Sequence, residues 1–428
     1  MVPCENGPFS GELMSTGLFR KTSKCRICWS NDLHTIVDLG AQAIGSIFPK
    51  ANEAEPPKIP LELLRCHSCG LVQLGHSVIP SALYTYGYGY RSDITVTMRE
   101  HLAGLAGWVR QRCVLNPGDN VLDIGCNDGT LLKAYGSLSG LRRIGIDAVA
   151  GKFKQDYPSD IQVHEGYFNA ASYAAVGDGA LCKAITSIAM FYDLESPNEF
   201  VADIKMSLAP DGIWVLEQSS LATMLEANSF DTVCHEHLEY YGLRQIERLA
   251  TTHGLRIFDA ELNACNGGSI RLAVCHEHGP YALNEAAINP IRARESKLKL
   301  DSDEPYQAFA QRIEEARANL VTFIDRERAD GKTFYLYGAS TKGNTLLQYC
   351  GLGADRIVAA AERNLEKVGC RTPGSGIPIV SEVEMRAARP DYLLVLPWHF
   401  RHEIVEREAE FRRAGGKLVF PLPRFEIV

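Results

Sequence analysis

The segment N-V-L-D-I-G-C-N-D-G-T-L-L-K, residues 120–133, joins a short apolar run to two glycines and the start of a helical pattern. The apolar run is typical of a parallel strand buried between helices. Gly125 and Gly129 predict a tight turn, where a side chain would keep a ligand away from the backbone. A second apolar run, 143–147, ends in an acid about 20 positions on, where a carboxylate can accept hydrogen bonds from a ribose. A lone glycine turn often serves only to change direction, but strand, turn, helix and strand-end acid in this order favour a nucleoside cofactor.

This turn resembles the first motif of class I S-adenosylmethionine-dependent methyltransferases, D-x-G-x-x-x-G. It is not the G-x-G-x-x-G of dinucleotide binding, because Asn127 stands in place of the second glycine. The resemblance implies that Asp123, Gly125 and Gly129 surround the amino-acid end of the cofactor and that Asp147 holds its ribose. Gly166 and Tyr167 are expected near the adenine. The residues expected to bind the cofactor are Asp123, Gly125, Cys126, Asn127, Gly129, Asp147, Gly166 and Tyr167.

Bulk composition is that of a soluble globular protein with two or three domains. The chain has 428 residues, 46% of them hydrophobic, and a formal net charge of -8. This mild acidity argues against a nucleic-acid surface and against an anionic membrane. No apolar run approaches the roughly 20 residues of a membrane helix. The first residues lack a signal-peptide pattern, so we expect a cytoplasmic protein.

Four of the thirteen cysteines form two C-x-x-C pairs, Cys25 with Cys28 and Cys66 with Cys69. Each short turn aims two sulfurs at one point, which suits tetrahedral zinc, and thiolates in a reducing compartment prefer a metal to a disulfide. Four sulfur ligands leave no open coordination position, so we expect structural Zn²⁺. Four free cysteines or a redox pair are the alternatives, which the duplicated spacing disfavours. Cys4 and His67 rank below these four as ligands.

Tyrosines alternate with other residues at positions 84, 86, 88 and 90. In an extended segment they would share one face. Two interpretations stay open: a packing surface beside the zinc module, or a lid over a hydroxylated substrate that Tyr86 and Tyr88 would contact.

Apolar runs and helical patterns alternate from residue 93 to residue 280, which predicts a mostly parallel, doubly wound sheet. Ligands of such a sheet gather at the carboxyl ends of its strands. Asp123, Asp147, Tyr192 and Glu217 stand at or just beyond such ends. Two last runs, joined by glycines at 267 and 268, predict a hairpin that closes the sheet.

Residues 231–241, D-T-V-C-H-E-H-L-E-Y-Y, concentrate ionisable and aromatic side chains. Histidine suits proton transfer near neutral pH, and a neighbouring carboxylate can raise its basicity. The spacing is not the H-E-x-x-H of zinc proteases, because His235 and His237 would point in different directions on a helix. A polar surface turn is the plainer alternative. We favour acid–base chemistry, because the segment follows a predicted strand within reach of the ligand edge.

The C-terminal part repeats the pattern of strand, glycine turn and helix start at 332–344, after a charged helical stretch. Further apolar runs at 357–362, 392–397 and 417–422 complete a second Rossmann-like unit. Its turn could present backbone N–H groups and Lys342 to a phosphate, or it could be purely structural. The expected domains are a zinc-binding module (1–92), a cofactor-binding domain (93–280), and a bridging helix with a Rossmann-like domain (281–428).

From Cys25 to the C-terminus, the sequence resembles the sugar C-methyltransferases of deoxysugar biosynthesis. The resemblance rests on the paired C-x-x-C turns and on D-I-G-C-N-D-G, H-E-H-L-E-Y-Y, G-A-S-T-K-G-N and L-P-W-H-F. It implies S-adenosylmethionine as cofactor and methylation at carbon 3 of a nucleoside-diphosphate 4-keto-6-deoxyhexose. The C-terminal domain is expected to hold the nucleotide. We expect a monomer or weak homodimer without nucleic-acid or membrane partners.

The resemblance also implies the mechanism and its residues. A base removes the proton beside the ketone, and the resulting enolate takes the methyl group. The expected catalytic residues are His237 as base, Glu236, Tyr192 and Tyr241. The expected substrate contacts are Tyr86, Tyr88, His235, Tyr240, Asn266, Lys342, Asn344, Trp398 and His399. Two departures from the family pattern bear on the substrate. Cys234 stands where members carry a tyrosine, and Tyr192 is expected to act on the enolate oxygen where some members use a histidine.

Three other functions fit parts of the sequence. An O-methyltransferase would use His237 to deprotonate a hydroxyl. A nucleotide-sugar-binding protein without catalysis conflicts with the intact motif at 123–129, and an NAD-dependent dehydrogenase conflicts with the incomplete glycine pattern of the C-terminal turn.

Overall fold

The computed structural model describes residues 17–84, 90–136 and 140–428, whose strands form four sheets. Two sheets belong to the N-terminal part, one to the central part and one to the C-terminal part. Among these residues, no helix is both long and apolar enough to cross a membrane.

The N-terminal part is antiparallel. Its four-stranded sheet has the order β11-β4-β3-β2, and β1 pairs with β5. The strands are β1 (Phe19–Lys21), β2 (Leu33–Ala43), β3 (Lys58–Cys66), β4 (Val72–Leu74) and β5 (His76–Val78), followed by α1 (Pro80–Leu83). The fourth strand of the larger sheet, β11 (Glu239–Tyr240), comes from the distant segment around His237. This pairing fixes that segment to the N-terminal part.

The central sheet is doubly wound, with the order β12-β13-β10-β9-β6-β7-β8. Its strands are β6 (Asn120–Ile124), β7 (Arg142–Asp147), β8 (Ile161–Glu165), β9 (Cys182–Ile188), β10 (Leu208–Ser219), β12 (Leu255–Asn263) and β13 (Ser269–His276). The chain runs outward from β6 through β7 to β8 and then returns to β9, which places the topological switch beside β6. Only β13 is antiparallel to its neighbours in this sheet. The predicted closing hairpin, β12–β13, is confirmed.

Helices cover both faces of the central sheet. They are α2 (Val96–Arg112), α3 (Thr130–Ala134), α4 (Ala170–Val176), α5 (Pro197–Ser207), α7 (Leu243–Thr252) and α8 (Glu285–Lys297), whereas α6 (Leu221–Glu226) packs in the core of the C-terminal part. Because side chains alternate along a strand, β10 contributes residues to two separate hydrophobic cores, one on each face of the sheet. Ile213 and Val215 pack with α2, whereas Trp214 and Leu216 pack on the opposite face with Tyr241 and α7.

The C-terminal part is a second parallel sheet with the order β16-β15-β14-β17-β18-β19, in which β19 alone is antiparallel. Its strands are β14 (Phe334–Tyr337), β15 (Ala359–Glu362), β16 (Ile379–Ser381), β17 (Tyr392–Val395), β18 (Lys417–Phe420) and β19 (Glu426–Ile427). Its helices are α9 (Glu304–Ala329), α10 (Thr341–Cys350), α11 (Glu382–Ala388), α12 (Arg401–Arg407) and α13 (Ala409–Arg413). The second Rossmann-like unit and its long preceding helix, α9, match the sequence prediction. One continuous apolar core joins this sheet to β2, β3 and β4 of the N-terminal part.

Candidate active site

A cleft opens at the carboxyl ends of β6, β7, β9 and β10, where the glycine turn after β6 forms one wall. Gly125 and Gly129 have φ values of +72° and +76°, in the left-handed region that favours glycine. A Cβ on Gly125 would lie 3.2 Å from Met190 Cγ, and one on Gly129 would lie 2.7 Å from Tyr157 Cδ1. The two glycines therefore serve both the turn geometry and close packing.

Asp147 ties the glycine turn to the end of β7. Its Oδ2 accepts from the Asn127 N–H at 2.9 Å, and its Oδ1 accepts from the Val149 N–H at 2.7 Å. Burial raises the pKa of this carboxyl, whereas the backbone hydrogen bonds oppose that shift. Asp147 also lines the cleft, so its fixed oxygens can receive a ligand hydroxyl.

Asp123 lies beneath the same cleft and accepts from the Thr186 hydroxyl at 2.6 Å. Burial raises its pKa to about 7, and the Thr186 hydrogen bond opposes the rise. Cys126 and Asn127 also line the cleft. Gly166 is held next to Asp147 by its N–H, which donates to the Asp147 carbonyl at 3.0 Å, but neither it nor the exposed Tyr167 is among the lining residues.

The wall formed by α2 carries a charged group that the sequence did not reveal. His101 Nε2 donates to Glu217 Oε1 at 2.5 Å, and Arg271 Nε donates to Glu217 Oε2 at 2.7 Å. Burial lowers the pKa of His101, but hydrogen bonds to Cys265 and Glu217 outweigh it and raise the pKa to about 10. His101 is therefore a cation at neutral pH. His101 and Glu217 are 116 residues apart, and a single histidine on a helix gives no sequence signal for such a pairing.

The opposite wall holds Tyr192, whose ring centroid lies 4.3 Å from that of His237. His237 Nδ1 is 2.9 Å from the Thr232 carbonyl, which can only accept, so Nδ1 carries the proton and Nε2 is free of one. Burial, with a contribution from the Lys342 charge, lowers the pKa of His237 to about 3. The imidazole is therefore neutral at physiological pH, in the tautomer that accepts a proton at Nε2.

Two carboxyl groups lie near this histidine segment. Glu236 is buried, and neither of its carboxylate oxygens has a hydrogen-bond partner among the residues that the structure describes. Asp193, which lines the cleft, accepts from the Tyr84 hydroxyl at 2.9 Å. Burial raises the pKa of Asp193 well above its usual range, and the charge of Glu236 adds to that shift. Asp193 is a further polar group of the cleft that sequence reasoning passed over.

Four of the sequence-predicted side chains are directed elsewhere. His235 Nε2 donates to the Ile59 carbonyl at 3.1 Å, and Asn344 Nδ2 donates to the Gly45 carbonyl at 2.7 Å, so both attach to the N-terminal part. Tyr240 donates to the Thr232 carbonyl at 3.3 Å, and Tyr241 is buried beside Phe191. These contacts join segments of the fold, and none of the four lines either cavity. Tyr86 and Tyr88 lie outside the described residues.

A second cavity adjoins the first, and the two share Ser219 and Asn266 in their linings. The C-terminal domain contributes Lys342, Trp398 and His399 to this cavity. Lys342 Nζ donates to the Asn266 carbonyl at 3.3 Å. The structure thus brings these four predicted substrate contacts together where the two α/β parts meet.

Asp231, a residue that the sequence did not single out as a contact, forms the floor of the second cavity. It accepts from Trp398 Nε1 at 2.9 Å through Oδ2. Burial raises its pKa, whereas the Lys342 charge and the Trp398 hydrogen bond oppose the rise.

The four paired cysteines converge on one point. The Cys25 and Cys69 sulfurs are 3.5 Å apart, as are those of Cys28 and Cys66, and all four lie within 4.8 Å of one another. Tetrahedral zinc with bonds of about 2.3 Å would separate its sulfurs by about 3.8 Å, so this donor set can bind a metal. His67 stacks on His34 in a separate exposed group, and Cys4 lies outside the described residues.

Arg26, between the first two cysteines, connects this cluster to the histidine segment. Its guanidinium is fully buried and donates to the Leu74 carbonyl at 2.9 Å and to the Leu238 carbonyl at 3.4 Å. Leu238 directly follows His237, and β11 then pairs with β4. The cysteine cluster therefore supports the position of His237.

Comparisons with known proteins agree with this layout. Three family models match: "Putative zinc binding domain" over residues 25–84, "Methyltransferase domain" over 98–260 and "C-methyltransferase C-terminal domain" over 264–423. The chain is 29% identical over 414 residues to C-methyltransferase NovU of Streptomyces niveus, covering 96% of this chain and 98% of NovU.

Solved structures similar to part of this chain include magnesium protoporphyrin IX methyltransferase (ChlM) from Synechocystis PCC 6803 with bound S-adenosylmethionine. It is 14% identical, with a TM-score of 0.33 over 43% of this chain and 82% of that one. The YcgJ protein from Bacillus subtilis is 15% identical, with a TM-score of 0.30 over 41% of this chain and 97% of that one.

Proposed function

We propose that this chain is a member of the C-methyltransferases that it resembles, and that it methylates carbon 3 of a nucleoside-diphosphate 4-keto-6-deoxyhexose. The matching family models and the similarity to NovU support an S-adenosylmethionine-dependent C-methyltransferase. The keto-sugar substrate and the enolate route are our inference. The observation that carries this inference is the neutral His237, whose Nε2 is free to accept a proton beside the ligand edge of the sheet.

Cofactor binding is assigned to the first cavity. Asp147 would hold the ribose hydroxyls, and the turn at 123–129 would surround the amino-acid end. Gly125 lines this cavity, and its φ of +72° lets the turn run along the cavity wall. Bound S-adenosylmethionine supplies an electrophilic methyl group.

Proton removal is assigned to His237. A ketone acidifies the hydrogen on the adjacent carbon, so a neutral imidazole can take that proton at Nε2 and leave an enolate on the substrate. The Thr232 carbonyl keeps Nδ1 protonated and fixes the ring. Tyr192 contacts the ring of His237 and lines the cleft, which supports assigning it the hydrogen bond to the enolate oxygen.

The second cavity is assigned to the nucleotide-bearing end of the substrate. Lys342, Trp398 and His399 come from the C-terminal domain, and Asn266 comes from the hairpin that closes the central sheet. Lys342 follows the first residue of α10, where helix N–H groups also favour an anion. We further propose that the four cysteines hold one structural zinc ion.

Incubation of the enzyme with S-adenosylmethionine and a nucleotide-linked 4-keto-6-deoxyhexose in deuterated water tests the reaction. We expect a product heavier by one methyl group on carbon 3, because proton removal by His237 makes that carbon nucleophilic. Mass spectrometry with NMR locates the methyl group. The matched control is the 4-hydroxy form of the same nucleotide sugar, which lacks the acidifying ketone and should give neither exchange nor methylation.

The other outcomes separate the alternatives. Deuterium exchange at carbon 3 without methylation would support His237 as the base but would indicate that the natural substrate is a different sugar. A methyl group on oxygen would replace the proposal with an O-methyltransferase. Neither exchange nor methylation would contradict the enolate route.

Asp147→Asn tests the cofactor site. Loss of a charged acceptor at the ribose is expected to weaken S-adenosylhomocysteine binding about 10-fold or more, since hydrogen bonds to charged groups contribute about 1.5–3 kcal/mol. Calorimetry with S-adenosylhomocysteine measures the effect. Glu199→Gln, at an exposed position at the start of α5, removes one negative charge outside the cleft and should bind normally. If the Asp147 variant and the wild type bound S-adenosylhomocysteine with equal affinity, Asp147 would not be a ribose ligand.

A further inference from the structure

Gln218, the penultimate residue of β10, carries a buried side-chain amide. The residue is 1% exposed, and neither Oε1 nor Nε2 finds a hydrogen-bond partner among the residues that the structure describes. Buried polar groups in native proteins nearly always have partners, because leaving one unpaired costs free energy. Gln218 also lines the cofactor cleft. A bound ligand can therefore supply the missing partners.

Strand alternation fixes the side of the sheet that Gln218 faces. Its neighbour Glu217 points toward α2, where it binds His101, and it also binds Arg271 of the adjacent strand β13. Gln218 accordingly points to the opposite face, as do Leu216 and Trp214. The core on that face also contains Tyr192. Gln218 thus shares a sheet face with Tyr192, which contacts His237.

Backbone contacts on both sides of Gln218 are already satisfied. The Ala189 N–H donates to the Glu217 carbonyl at 2.7 Å, which holds the segment leading to Tyr192 against β10. On the other side, the Ser220 N–H donates to the Gly268 carbonyl at 3.1 Å, which holds the hairpin loop that carries Asn266. The end of β10 is therefore fixed between two walls of the site. The side-chain amide of Gln218, by contrast, has no partner within the described parts of the chain.

We propose that Gln218 is a substrate-binding residue that recognises a carbonyl and an adjacent hydroxyl of the keto-sugar. This inference rests on the proposed function. Nε2–H donates to the carbonyl oxygen next to the methylated carbon, and Oε1 accepts from the neighbouring hydroxyl. An amide suits this edge because it offers a donor and an acceptor side by side.

The same contact stabilises the enolate. When the C–H bond breaks, the proton moves to His237 Nε2 and the electron pair moves toward the carbonyl oxygen. A donor already held at that oxygen interacts more strongly as negative charge develops, which lowers the barrier. Gln218 keeps its own protons throughout. Its contribution is therefore to binding and charge stabilisation, and proton transfer belongs to His237.

Gln218→Met tests the inference, because methionine has a similar shape and no amide. We expect kcat and the rate of deuterium exchange at carbon 3 to fall about 100-fold, as for loss of an oxyanion donor. Affinity for S-adenosylhomocysteine should stay within about twofold, and Tm should not fall, since an unpaired buried polar group is removed. Gln218→Glu keeps the shape and the acceptor but loses the donors, so it should lose at least as much activity. Gln311→Met, at an exposed position on α9, is the matched control.

Each outcome supports or overturns the inference. A Gln218→Met enzyme with exchange within about threefold of the wild type overturns it. A lower Tm with unchanged exchange per folded molecule assigns Gln218 a purely structural role and also overturns it. A wild-type enzyme that neither exchanges nor methylates any 4-keto sugar nucleotide overturns the proposed function itself, and this inference with it.

Discussion

His237→Ala is expected to lower kcat for methyl transfer about a thousandfold or more, while S-adenosylhomocysteine binds with wild-type affinity. A positioned general base typically contributes about 10²–10⁴ in rate. His237 is suited to that role because its Nδ1–H is held by the Thr232 carbonyl and its Nε2 is unprotonated. It does not line the cofactor cleft, so its loss should leave cofactor binding intact. Steady-state kinetics and calorimetry measure the two quantities.

Deuterium exchange at carbon 3 separates a base from a residue that only supports the fold. The His237→Ala enzyme should lose exchange along with methylation and keep the thermal transition of the wild type to within a few degrees. His402→Ala is the matched control, since His402 lies on α12 with its side chain 89% exposed. If the His237 variant retained exchange and turnover, another residue would have to be the base.

Removing the metal from the cysteine cluster is expected to unfold the N-terminal part of the chain. Metal analysis of the purified protein should find about one zinc ion per chain, since the four cysteine sulfurs lie within 4.8 Å of one another and can surround a single ion. Structural zinc contributes an apparent free energy of about 10–16 kcal/mol, which is comparable with the whole stability of a domain. We therefore expect Cys28→Ser, or treatment with a strong chelator, to lower Tm by more than ten degrees or to leave only aggregated protein. Calorimetry or circular dichroism follows the transition.

Methyl transfer should be lost with the metal, although no cysteine of the cluster lines the cleft. Arg26 of the first C-x-x-C turn donates to the Leu238 carbonyl, and β11 pairs with β4, so the N-terminal part holds the segment that carries His237. Cys370→Ser, a half-buried cysteine of the C-terminal part, is the control and should retain metal and activity. A folded, active protein without metal would contradict a structural zinc site.

Local patterns in the sequence predicted the architecture. The doubly wound sheet with its closing hairpin, and the second Rossmann-like unit after a long helix, are both confirmed. These features follow from short-range physics. An apolar run followed by a glycine at positive φ makes a strand and turn in almost any context, and two cysteines in one tight turn converge without help from the rest of the chain.

The residue types within a short segment did not predict which partner each side chain would bind. In H-E-H the two histidines are two residues apart, yet His235 turns to the Ile59 carbonyl and His237 to the Thr232 carbonyl. Asn344 follows the glycine turn of the C-terminal domain as expected, but its amide binds the Gly45 carbonyl. The partner in each of these two departures, Ile59 and Gly45, is more than a hundred residues away, so nothing nearby in the sequence could reveal it.

Sequence by itself therefore determined the order of strands and helices, the glycine turn for a nucleoside cofactor and the convergence of the four cysteines. Tertiary structure alone decided which polar groups find partners. His101, Glu217 and Arg271, which are far apart in the sequence, satisfy one another, whereas the side chain of Gln218, the residue next to Glu217, has no partner among the described residues. The physical reason is that backbone conformation depends on near neighbours, whereas the satisfaction of a buried polar group depends on strand register and on every element packed around it.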